Sequence, residues 1–553
     1  MTQLYTIADP EAYTLLAAQL DQRQQALLGG AINYHSLVNP GTNLEYYVYL
    51  GVGEDYPRLT DTSTLTGTWA PQAQPLGTLA VHSQVRGKAR PDAAFDASTG
   101  EYLPETGRRY LRLPAAAAPG ATPHTQRPPR NWLDKNPTGM AARAREMLTR
   151  AQELDLRRRR ERNDGRSFFG TPSDRRRFDF RLVRPTPPPP GAEKAILFGL
   201  PWLQAGGAER WALETIQIAK DSGFTPIVIT DQPSYHQWAT RPELVGCLLL
   251  PLTMPVQRWH GDEPLLRFIA ETFDLRAVFI HHCTWLYTRL PWIKKYLPQL
   301  PVVDSLHIID LDKGGYPSTS VTFDDYVDIH QVISPQLQQW LVDAQGVYED
   351  KIVLAPLVGL TTDELAAFQP RVSPNTFTIA YVGALAPQKR PDVFLNTAES
   401  LHDTYPDLRF IMHGEGELSP FVDQQIAKRG LGNVIERRAE ETPVSQTLAD
   451  SDALLMTSSN EGLALPVLEA IAAGIPAIST HVGSQETLIP EDALLPRSAA
   501  RLIRQATPLI GALKDDEDTR QDLWEREREA LEQLAALTTA GEWTSEWMRG
   551  LHH

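Results

Sequence analysis

The strongest constraint on the fold is a rhythm of short apolar runs separated by longer amphipathic stretches, which begins at Ala195. Near-continuous apolar runs are typical of parallel strands that helices cover on both faces. The rhythm pauses near Pro370–Pro374 and then restarts, so the sequence predicts two doubly wound α/β domains in tandem. The predicted strands are Ile196–Leu200, Pro226–Thr230, Val278–His281, Val302–Leu306 and Val332–Ser334 in the first domain, and Phe377–Gly383, Phe410–His413, Asn433–Glu436, Ala453–Thr457 and Ala477–Thr480 in the second.

The first 190 residues lack this rhythm and carry no motif that indicates a function. Tyr13–Leu28 predicts an amphipathic helix, and the aromatic run Leu44–Leu50 predicts a strand. Met140–Asp164 is an arginine-rich helical stretch, and its interleaved acidic residues favour a solvated helix over a site for nucleic acid or anionic lipid. The predicted divisions are an accessory α+β region over 1–125, the charged helix and a Pro-rich linker over 126–193, Rossmann-like domains over 194–370 and 371–510, and helices over 511–553 that pack back on the first Rossmann-like domain.

Charge and composition exclude several classes of protein. The net charge is -15, and it is concentrated in the acidic part of the chain after residue 190, so attraction to nucleic acid is not expected there. Only two cysteines occur, which excludes a disulfide framework. The sequence also lacks a signal-peptide pattern and a long apolar run. We therefore expect a cytoplasmic protein; the N-terminal region leaves open peripheral attachment at the inner membrane face, a protein partner or a homo-oligomer.

The segment Ser458–Ile478 (SSNEGLALPVLEAIAAGIPAI) predicts a loop, a helix that opens near Pro466 and ends at Gly474, and then a strand. Backbone N–H groups at such a helix start form a site for pyrophosphate. The amides expected to surround it belong to Gly462, Leu463, Ala464 and Leu465. Glu461 lies in the loop, and Glu469 is predicted in the first helical turn, where a carboxylate can accept hydrogen bonds from a ribose diol. Compensation of the helix dipole would explain one glutamate but not both.

This segment resembles the signature of glycosyltransferase family 4, in which seven residues separate two glutamates. The likeness extends over about residues 194–550 and implies the GT-B fold, in which two Rossmann-like domains face each other across a cleft. It also implies a retaining transfer from a nucleotide-diphosphate sugar, with no other cofactor. By this resemblance, Glu469 binds the ribose and Glu461 lies near the donor sugar.

Three further segments are similar to the family's pattern. Gly206 and Gly207 (in QAGGAER) follow the first strand of the first domain, where the backbone can approach a ligand closely. In the matching turn of the second domain (VGALAPQKRPD), the resemblance implies that the loop of Gly383, Lys389 and Arg390 faces the donor diphosphate. Ala384 stands where the family usually has arginine, and Arg390 or the helix starts could compensate for it. Gly414 and Gly416 (in HGEGE) resemble the loop that borders the nucleotide base.

His307 is the preferred catalytic histidine, because it ends a predicted strand at the ligand-binding edge of the sheet and is similar to a family histidine that contacts the donor sugar. His281 and His282, which end the preceding strand, are the alternatives. No metal site is expected, since Asp310 and Asp312 form an Asp-x-Asp pair only in a loop of the other domain. Three histidines at adjacent strand ends predict a polar cleft.

The function expected from these residues is transfer of a hexose-type sugar to a hydroxyl of a glycan, lipid-linked or protein acceptor. Lys389 and the helix start would stabilise the charge that grows on the departing phosphate, without a metal. A nucleotide-sugar epimerase or a phosphorylase on the same fold is an alternative. Another is a catalytically weak scaffold that only binds sugar nucleotides, to which Ala384 and the long N-terminal addition point. The sugar, the base and the acceptor stay open.

Overall fold

The computed structural model describes most of the chain from residue 184 onward and part of what precedes it. The described residues are 3–51, 58–59, 65–66, 75–87, 95–96, 101–102, 108–114, 144, 146–148, 150–151, 154 and 184–552, apart from 233, 253–261, 310–314, 359–364, 374 and 440. Most of the arginine-rich stretch Met140–Asp164 lies outside them, as do Asp310 and Asp312. None of the described helices is long and apolar enough to cross a membrane.

The N-terminal region is a mixed α+β unit, as expected from the sequence. Its helices are α1 (Pro10–Ala17) and α2 (Gln22–Val38). Its strands are β1 (Tyr5–Ile7), β2 (Asn43–Gly51), β5 (Gly77–Ser83) and β8 (Arg108–Pro114), with the short pairs β3 (Arg58–Leu59) and β4 (Leu65–Thr66), and β6 (Phe95–Asp96) and β7 (Glu101–Tyr102). The four longer strands form one sheet in the order β1-β5-β2-β8, in which β2 runs antiparallel to β5 and parallel to β8.

The single helix predicted over Tyr13–Leu28 is wrong, because the chain forms two helices there. Asp21 starts α2 with a capping box, in which its carboxylate accepts from the Gln24 amide and the Gln24 side chain accepts from the Asp21 amide. Such reciprocal bonds satisfy two amides at a helix start and so favour a new helix at this point.

The first Rossmann-like domain contains seven parallel strands in the order β11-β10-β9-β12-β13-β14-β15. The strands are β9 (Lys194–Leu200), β10 (Thr225–Thr230), β11 (Leu248–Pro251), β12 (Asp274–His281), β13 (Val302–Leu306), β14 (Ile329–Val332) and β15 (Ile352–Leu354). The helices are α3 (Gly207–Asp221), α4 (Asp262–Thr272), α5 (Thr284–Tyr287), α6 (Leu290–Tyr296), α7 (Gly315–Thr322) and α8 (Pro335–Gln339), the last of which continues as a π-helical turn over Trp340–Ala344.

The second domain repeats this plan with six parallel strands in the order β18-β17-β16-β19-β20-β21. The strands are β16 (Phe377–Val382), β17 (Leu408–His413), β18 (Ile435–Arg438), β19 (Ala453–Met456), β20 (Ala477–Thr480) and β21 (Leu494–Leu495). The helices are α9 (Pro391–Thr404), α10 (Ser419–Lys428), α11 (Val444–Ala449), α12 (Leu465–Ala472), α13 (Ala499–Asp515), α14 (Glu517–Ala535) and α15 (Ala540–Gly550). In both sheets the chain reverses its direction of winding beside the first strand, which is the arrangement of doubly wound folds.

The predicted pair of doubly wound domains is therefore confirmed, with small errors in the strands. The strand predicted at Asn433–Glu436 begins at Ile435 instead, because Leu431–Asn433 forms a short 3-10 turn. Strands β11, β15 and β21 were not predicted from the sequence; each has four residues or fewer and lies at a sheet edge.

The N-terminal region shares a hydrophobic core with one face of the first Rossmann-like sheet. Leu27 and Leu28 of α2 belong to the same buried cluster as Leu248 and Leu250 of β11 and Phe268 of α4. Helix α2 packs directly on β11 and α4. The region is thus continuous with the first domain in its packing, rather than a separate body on a linker.

The C-terminal helices divide between the two domains. Trp524, Leu531 and Leu534 of α14 are buried in the core of the second domain, where the Trp524 indole donates to the Ile471 carbonyl at 2.8 Å. Helix α15 returns to the first domain, where it packs on α3 and buries Met548. The prediction that the whole of 511–553 packs back on the first domain is therefore wrong for α14.

Candidate functional site

The loop after β19 and the start of α12 lie at the carboxyl edge of the second sheet, as predicted. Pro466 occupies the first turn of α12, and Gly474, with a φ of +93°, follows its last turn. The N-cap residue Ala464 gives α12 no side-chain cap. Glu469 is the fifth residue of this helix, so its predicted position in the first turn is wrong. The dipole at the helix start therefore does not account for this glutamate, since the dipole acts mainly within the first turn.

Lys389 and Glu461 form an ion pair at this edge. The Lys389 ammonium donates to both carboxylate oxygens of Glu461, at 2.6 and 2.8 Å, and Glu461 is only 5% exposed. The loop that carries Lys389 is held against the loop of Glu461, because the Gln388 side chain donates to the Asn460 carbonyl and the Ser459 amide donates to the Gln388 carbonyl. The structure thus brings together the residues predicted to face the diphosphate and the donor sugar.

Glu469 is paired with Arg210 of the first domain. One guanidinium nitrogen, Nη1, lies 3.3 Å from Oε1 of Glu469, so the ion pair joins the two domains. Burial raises the pKa of Glu469, and the charge and hydrogen bond of Arg210 oppose this increase. Sequence reasoning did not assign Arg210 a role, although its position three residues after Gly207, in the same turn, was the available signal.

The two glycines before Arg210 lie at the start of α3 and differ in what surrounds them. A Cβ atom at Gly207 would lie 3.2 Å from Cδ1 of Leu465, so the starts of α3 and α12 face each other. A Cβ at Gly206 would instead lie 2.1 Å from Oε2 of Glu209, the residue whose carboxylate accepts from the Trp202 indole at 2.7 Å. Gly207 is therefore at the surface between the domains, whereas Gly206 makes room for a neighbour on its own helix.

Close backbone and side-chain contacts join the two domains beside the α12 start. A Cβ at Gly462 would lie 2.0 Å from the carbonyl oxygen of His307. The side-chain amide of Asn460 donates to the Ile309 backbone carbonyl at 2.9 Å, and the Ser484 hydroxyl donates to the Ser334 hydroxyl at 2.7 Å. The two domains are therefore in direct contact beside the α12 start, which is a closed arrangement.

The glycines of the neighbouring loops allow these loops to touch. A Cβ at Gly414 would lie 2.1 Å from the Gly383 oxygen, and one at Gly416 would lie 2.6 Å from the Leu385 oxygen. Gly383 and Gly414 also have φ values of +157° and +130°. Loop packing thus accounts for these glycines, and their contact with a base stays a prediction.

Arg390 forms a hydrogen bond within the second domain that the sequence did not predict. It precedes α9 with a φ of +52°, and its guanidinium donates to the Arg497 carbonyl at 2.6 Å. The exposed Ala384 supplies no charge at the position where the family pattern has arginine. One guanidinium nitrogen of Arg390 is thus engaged within the second domain, and compensation for Ala384 by Arg390 stays a prediction.

The three histidines predicted to form a polar cleft lie together. The His307 ring centroid is 4.7 Å from that of His282 and 6.2 Å from that of His281. Burial, reinforced by the neighbouring imidazoles, lowers the pKa of His307 well below its usual range, and burial lowers the pKa of His282 to about 4. These two rings are therefore neutral at physiological pH.

The hydrogen bonds around Ser305 determine which nitrogen of His307 carries its proton. Ser305 donates its proton to Oε1 of the Gln331 side chain. Its own oxygen then accepts from the Trp211 indole at 3.0 Å and from Nε2 of His307 at 2.8 Å. Nδ1 of His307 then carries a lone pair, and this buried atom has no hydrogen-bond partner among the described residues. The site thus contains a neutral histidine whose Nδ1 atom can accept a hydrogen bond.

Among the described residues, no three His, Cys, Asp or Glu side chains are grouped so that they could hold a metal ion. Both cysteines, Cys247 and Cys283, are buried thiols. The described groups of the site are backbone amides, the cations Lys389 and Arg210, the carboxylates Glu461 and Glu469, and neutral imidazoles.

Comparison with known proteins gives a family match over the second domain. Residues 363–528 match the family model described as Glycosyl transferases group 1. This segment contains Lys389, Glu461 and Glu469 and all the strands of the second sheet. The match and the two doubly wound domains identify the fold as GT-B.

Curated relatives are distant and partial. A phosphatidylinositol N-acetylglucosaminyltransferase subunit from Arabidopsis thaliana is 23% identical over 37% of this chain and 48% of its own length. The D-inositol 3-phosphate glycosyltransferase of Corynebacterium glutamicum strain R is 26% identical over 50% of this chain and 72% of its own. The chain thus spans about half the length of the Arabidopsis protein. Among solved structures, Anabaena Alr3699/HepE in complex with UDP-glucose is 15% identical, with a TM-score of 0.48, over 65% of this chain and 99% of its own.

Proposed function

We propose that this chain is a retaining glycosyltransferase of family 4 that uses a nucleotide-diphosphate sugar as donor. The acceptor is a hydroxyl group of a glycan, a lipid-linked sugar or a protein. One observation carries the proposal: the uncapped start of α12 lies beside the Lys389–Glu461 pair and against the His307 end of the opposite sheet. An anion-binding helix start, a cation and a neutral hydrogen-bond acceptor thus meet at the edges where α/β sheets bind ligands.

The proposed chemistry follows the charge that develops when the anomeric C–O bond breaks. Negative charge grows on the departing phosphate, and the amides at the α12 start together with Lys389 stabilise it. Glu469 accepts hydrogen bonds from the ribose hydroxyls. Nδ1 of His307 accepts one from a hydroxyl of the donor sugar, which fixes the sugar above the phosphate. The acceptor hydroxyl enters on the face that the phosphate leaves and passes its proton to the departing phosphate oxygen, and no metal is needed for this charge balance.

The named activities of the relatives support transfer to a hydroxyl acceptor. Both the Arabidopsis and the Corynebacterium proteins are named as transferases of sugars to inositol-containing molecules. The family match covers the half of the site that holds the donor in our proposal. In our proposal the first domain is the acceptor side, and the N-terminal region, which packs on it, would serve to position an acceptor or a partner.

The test begins with a thermal-shift screen of the full chain against uridine, guanosine and adenosine diphosphates and their sugar conjugates, since a ligand of the folded state raises the melting temperature. The sugar conjugate that binds is then used as donor. We expect Glu469→Ala to raise the KM for this donor strongly and Lys389→Ala to lower kcat by about 100-fold, the scale of one lost electrostatic contact in a transition state.

Matched controls are Glu532→Ala and Lys220→Ala, which remove exposed or partly exposed charges on α14 and α3. Both controls should retain the kinetics of the unmodified protein. Unchanged kinetics in both site variants would refute the site, and an absence of donor cleavage with every conjugate would refute the transferase.

A sugar-nucleotide-binding scaffold is the second candidate, and Ala384 is the observation that favours it. The exposed methyl group leaves the diphosphate one cation short of the family pattern. Such a module would bind a nucleoside diphosphate and release no sugar from its conjugate in the presence of any acceptor, so product analysis on the same samples separates the two functions.

A further inference from the structure

The two glutamates of the seven-residue signature each hold one cation. Glu461 binds Lys389 of the second domain, and Glu469 binds Arg210 of the first domain. The four charges cancel, so these two pairs are electrically balanced without a ligand. An anionic ligand that binds here must therefore take at least one cation from its glutamate.

Arg210 is the cation that can be released at lower cost. Its side chain is 47% exposed, whereas that of Lys389 is 26% exposed, and its distance to the carboxylate is 3.3 Å compared with 2.6 Å for Lys389. An ion pair whose cation is half exposed is weakened, because water and salt screen that charge, although Glu469 itself is only 14% exposed. A multiply charged ligand would readily compete for this guanidinium.

The position of Arg210 also favours an anionic ligand. It lies in the first turn of α3, whose start faces the start of α12 across the Gly207–Leu465 contact. The N-cap residues of these two helices, Gly206 and Ala464, provide no side-chain cap. The positive ends of two helix dipoles therefore converge beside this guanidinium, and each favours negative charge.

Resting on the proposed function, we propose that Arg210 is a diphosphate-binding residue supplied by the first domain, which takes the place of the cation that Ala384 lacks. When the donor binds, the guanidinium leaves Glu469 for the diphosphate oxygens. Glu469 then becomes available to the ribose hydroxyls. This one exchange of partners frees the Glu469 carboxylate to accept hydrogen bonds from the ribose and brings the positive charge of Arg210 to the diphosphate. When the donor is absent, the Arg210–Glu469 ion pair joins the two domains.

The test compares nucleoside mono- and diphosphates by calorimetry, with the base that the thermal-shift screen selects. The unmodified protein should bind the diphosphate more tightly than the monophosphate. In Arg210→Gln, the affinity for the diphosphate should fall about 10-fold or more, the scale of a lost charge-assisted bond. The affinity for the monophosphate should stay equal or rise, because Glu469 is released.

Arg241→Gln is the matched control. Arg241 pairs with Glu243, and its side chain is 46% exposed, almost the same fraction as for Arg210, but the pair lies within the first domain. This variant should keep both affinities. Addition of Ala384→Arg to Arg210→Gln should restore the preference for the diphosphate, because the second domain then supplies the missing charge.

Three outcomes would overturn the inference. The first is that Arg210→Gln keeps the full preference for the diphosphate over the monophosphate. The second is that this variant loses affinity for both nucleotides equally, which would indicate a structural role for Arg210. The third is that adding Ala384→Arg to Arg210→Gln does not restore the preference. Failure of the proposed function is distinct, since it is measured on the unmodified protein. If that protein binds the diphosphate through Arg210 but transfers no sugar, the inference stands and the transferase is refuted; if it binds neither nucleotide, both are refuted.

Discussion

At the scale of single residues, Gly462 sets how closely the two domains approach. A side chain at this position would begin 2.0 Å from the His307 oxygen and 3.1 Å from the carbon of the same carbonyl. Both atoms belong to the backbone, so a rotamer change could not relieve the clash. The neighbour can move away only if the first domain shifts against the second.

We therefore expect Gly462→Ala to lower kcat/KM by about 100-fold, the scale of a displacement of about 1 Å at a reacting centre. Steady-state kinetics would measure this loss, and small-angle scattering would detect a more open shape. The control is Gly432→Ala, at a position where no described atom lies within 4 Å of the new Cβ atom. Equal kinetics for the two variants would mean that this contact is not part of the active arrangement.

The residues of the site were predictable where local sequence decides their position. Glu461, Lys389 and His307 follow strands whose apolar pattern is plain, so their arrival at the sheet edges follows from topology. The partners Arg210 and Glu469 come from helices of different domains, and no local pattern encodes the angle between domains. The bond from Arg390 to Arg497 lies within the second domain, and it was not predictable because 107 residues separate the two.

At the scale of elements, a buried charge network ties the strands β13 and β14 to the turns beside them. His330 of β14 is hydrogen-bonded through Nδ1 to Asp304 of β13 at 2.8 Å and through Nε2 to Asp324 at 3.1 Å. Burial opposes protonation of His330, but the two carboxylates outweigh it and raise its pKa to about 9. Lys351 also pairs with Asp324 at 2.5 Å. His330 is thus a buried cation at neutral pH.

The stability of the protein should depend on pH through this histidine. Because the folded-state pKa is raised above the usual value of about 6.5, the contribution is complete below about pH 6.5 and is lost as the pH rises through about 9. Urea unfolding between pH 6 and 10 should show a loss on the order of a few kcal/mol. His330→Gln should flatten this profile, whereas His481→Gln, at an exposed position, should leave it unchanged. A profile with the same slope in His330→Gln would exclude the network as the cause.

The elements themselves were more predictable where they are long and buried on both faces. Strands β9, β12 and β13 were evident from their apolar runs, because helices cover both sides of the sheet. Strands β15 and β21 were missed, since three and two residues carry too little pattern. The break between α1 and α2 was missed because its signal is a capping box at Asp21 inside a continuous run of helix-forming residues.

At the scale of the whole molecule, the N-terminal region and the first Rossmann-like domain form one folding unit. Helix α2 packs on β11 and α4, and the Arg23 guanidinium, which is buried, donates to the Pro114 and Tyr235 carbonyls. These bonds link α2 to both the N-terminal sheet and the first Rossmann-like domain. A change in this interface should therefore lower the stability of the first domain and not only that of the N-terminal region.

Two adjacent glycines in the middle of α2 test this conclusion. A Cβ atom at Gly30 would lie 2.7 Å from Cδ of Pro251 and 3.2 Å from the Leu249 oxygen, and neither the proline ring nor the strand can yield easily. A Cβ at Gly29 would meet no described atom within 4 Å. Alanine is favoured over glycine inside a helix by about 1 kcal/mol, and this gain applies to both sites. The two substitutions therefore differ only in the contact with β11.

We expect Gly29→Ala to keep or raise the melting temperature of the full chain. Gly30→Ala should lower it, because overpacking of a well-filled core costs roughly 1–3 kcal/mol, more than the gain in helix propensity. Hydrogen exchange read by mass spectrometry should locate the loss of protection in β10 and β11 as well as in α2. If amide protection falls in α2 alone and is unchanged in β11, the N-terminal region does not fold as one unit with the first Rossmann-like domain. The shared core then contributes nothing to the stability of the first Rossmann-like sheet.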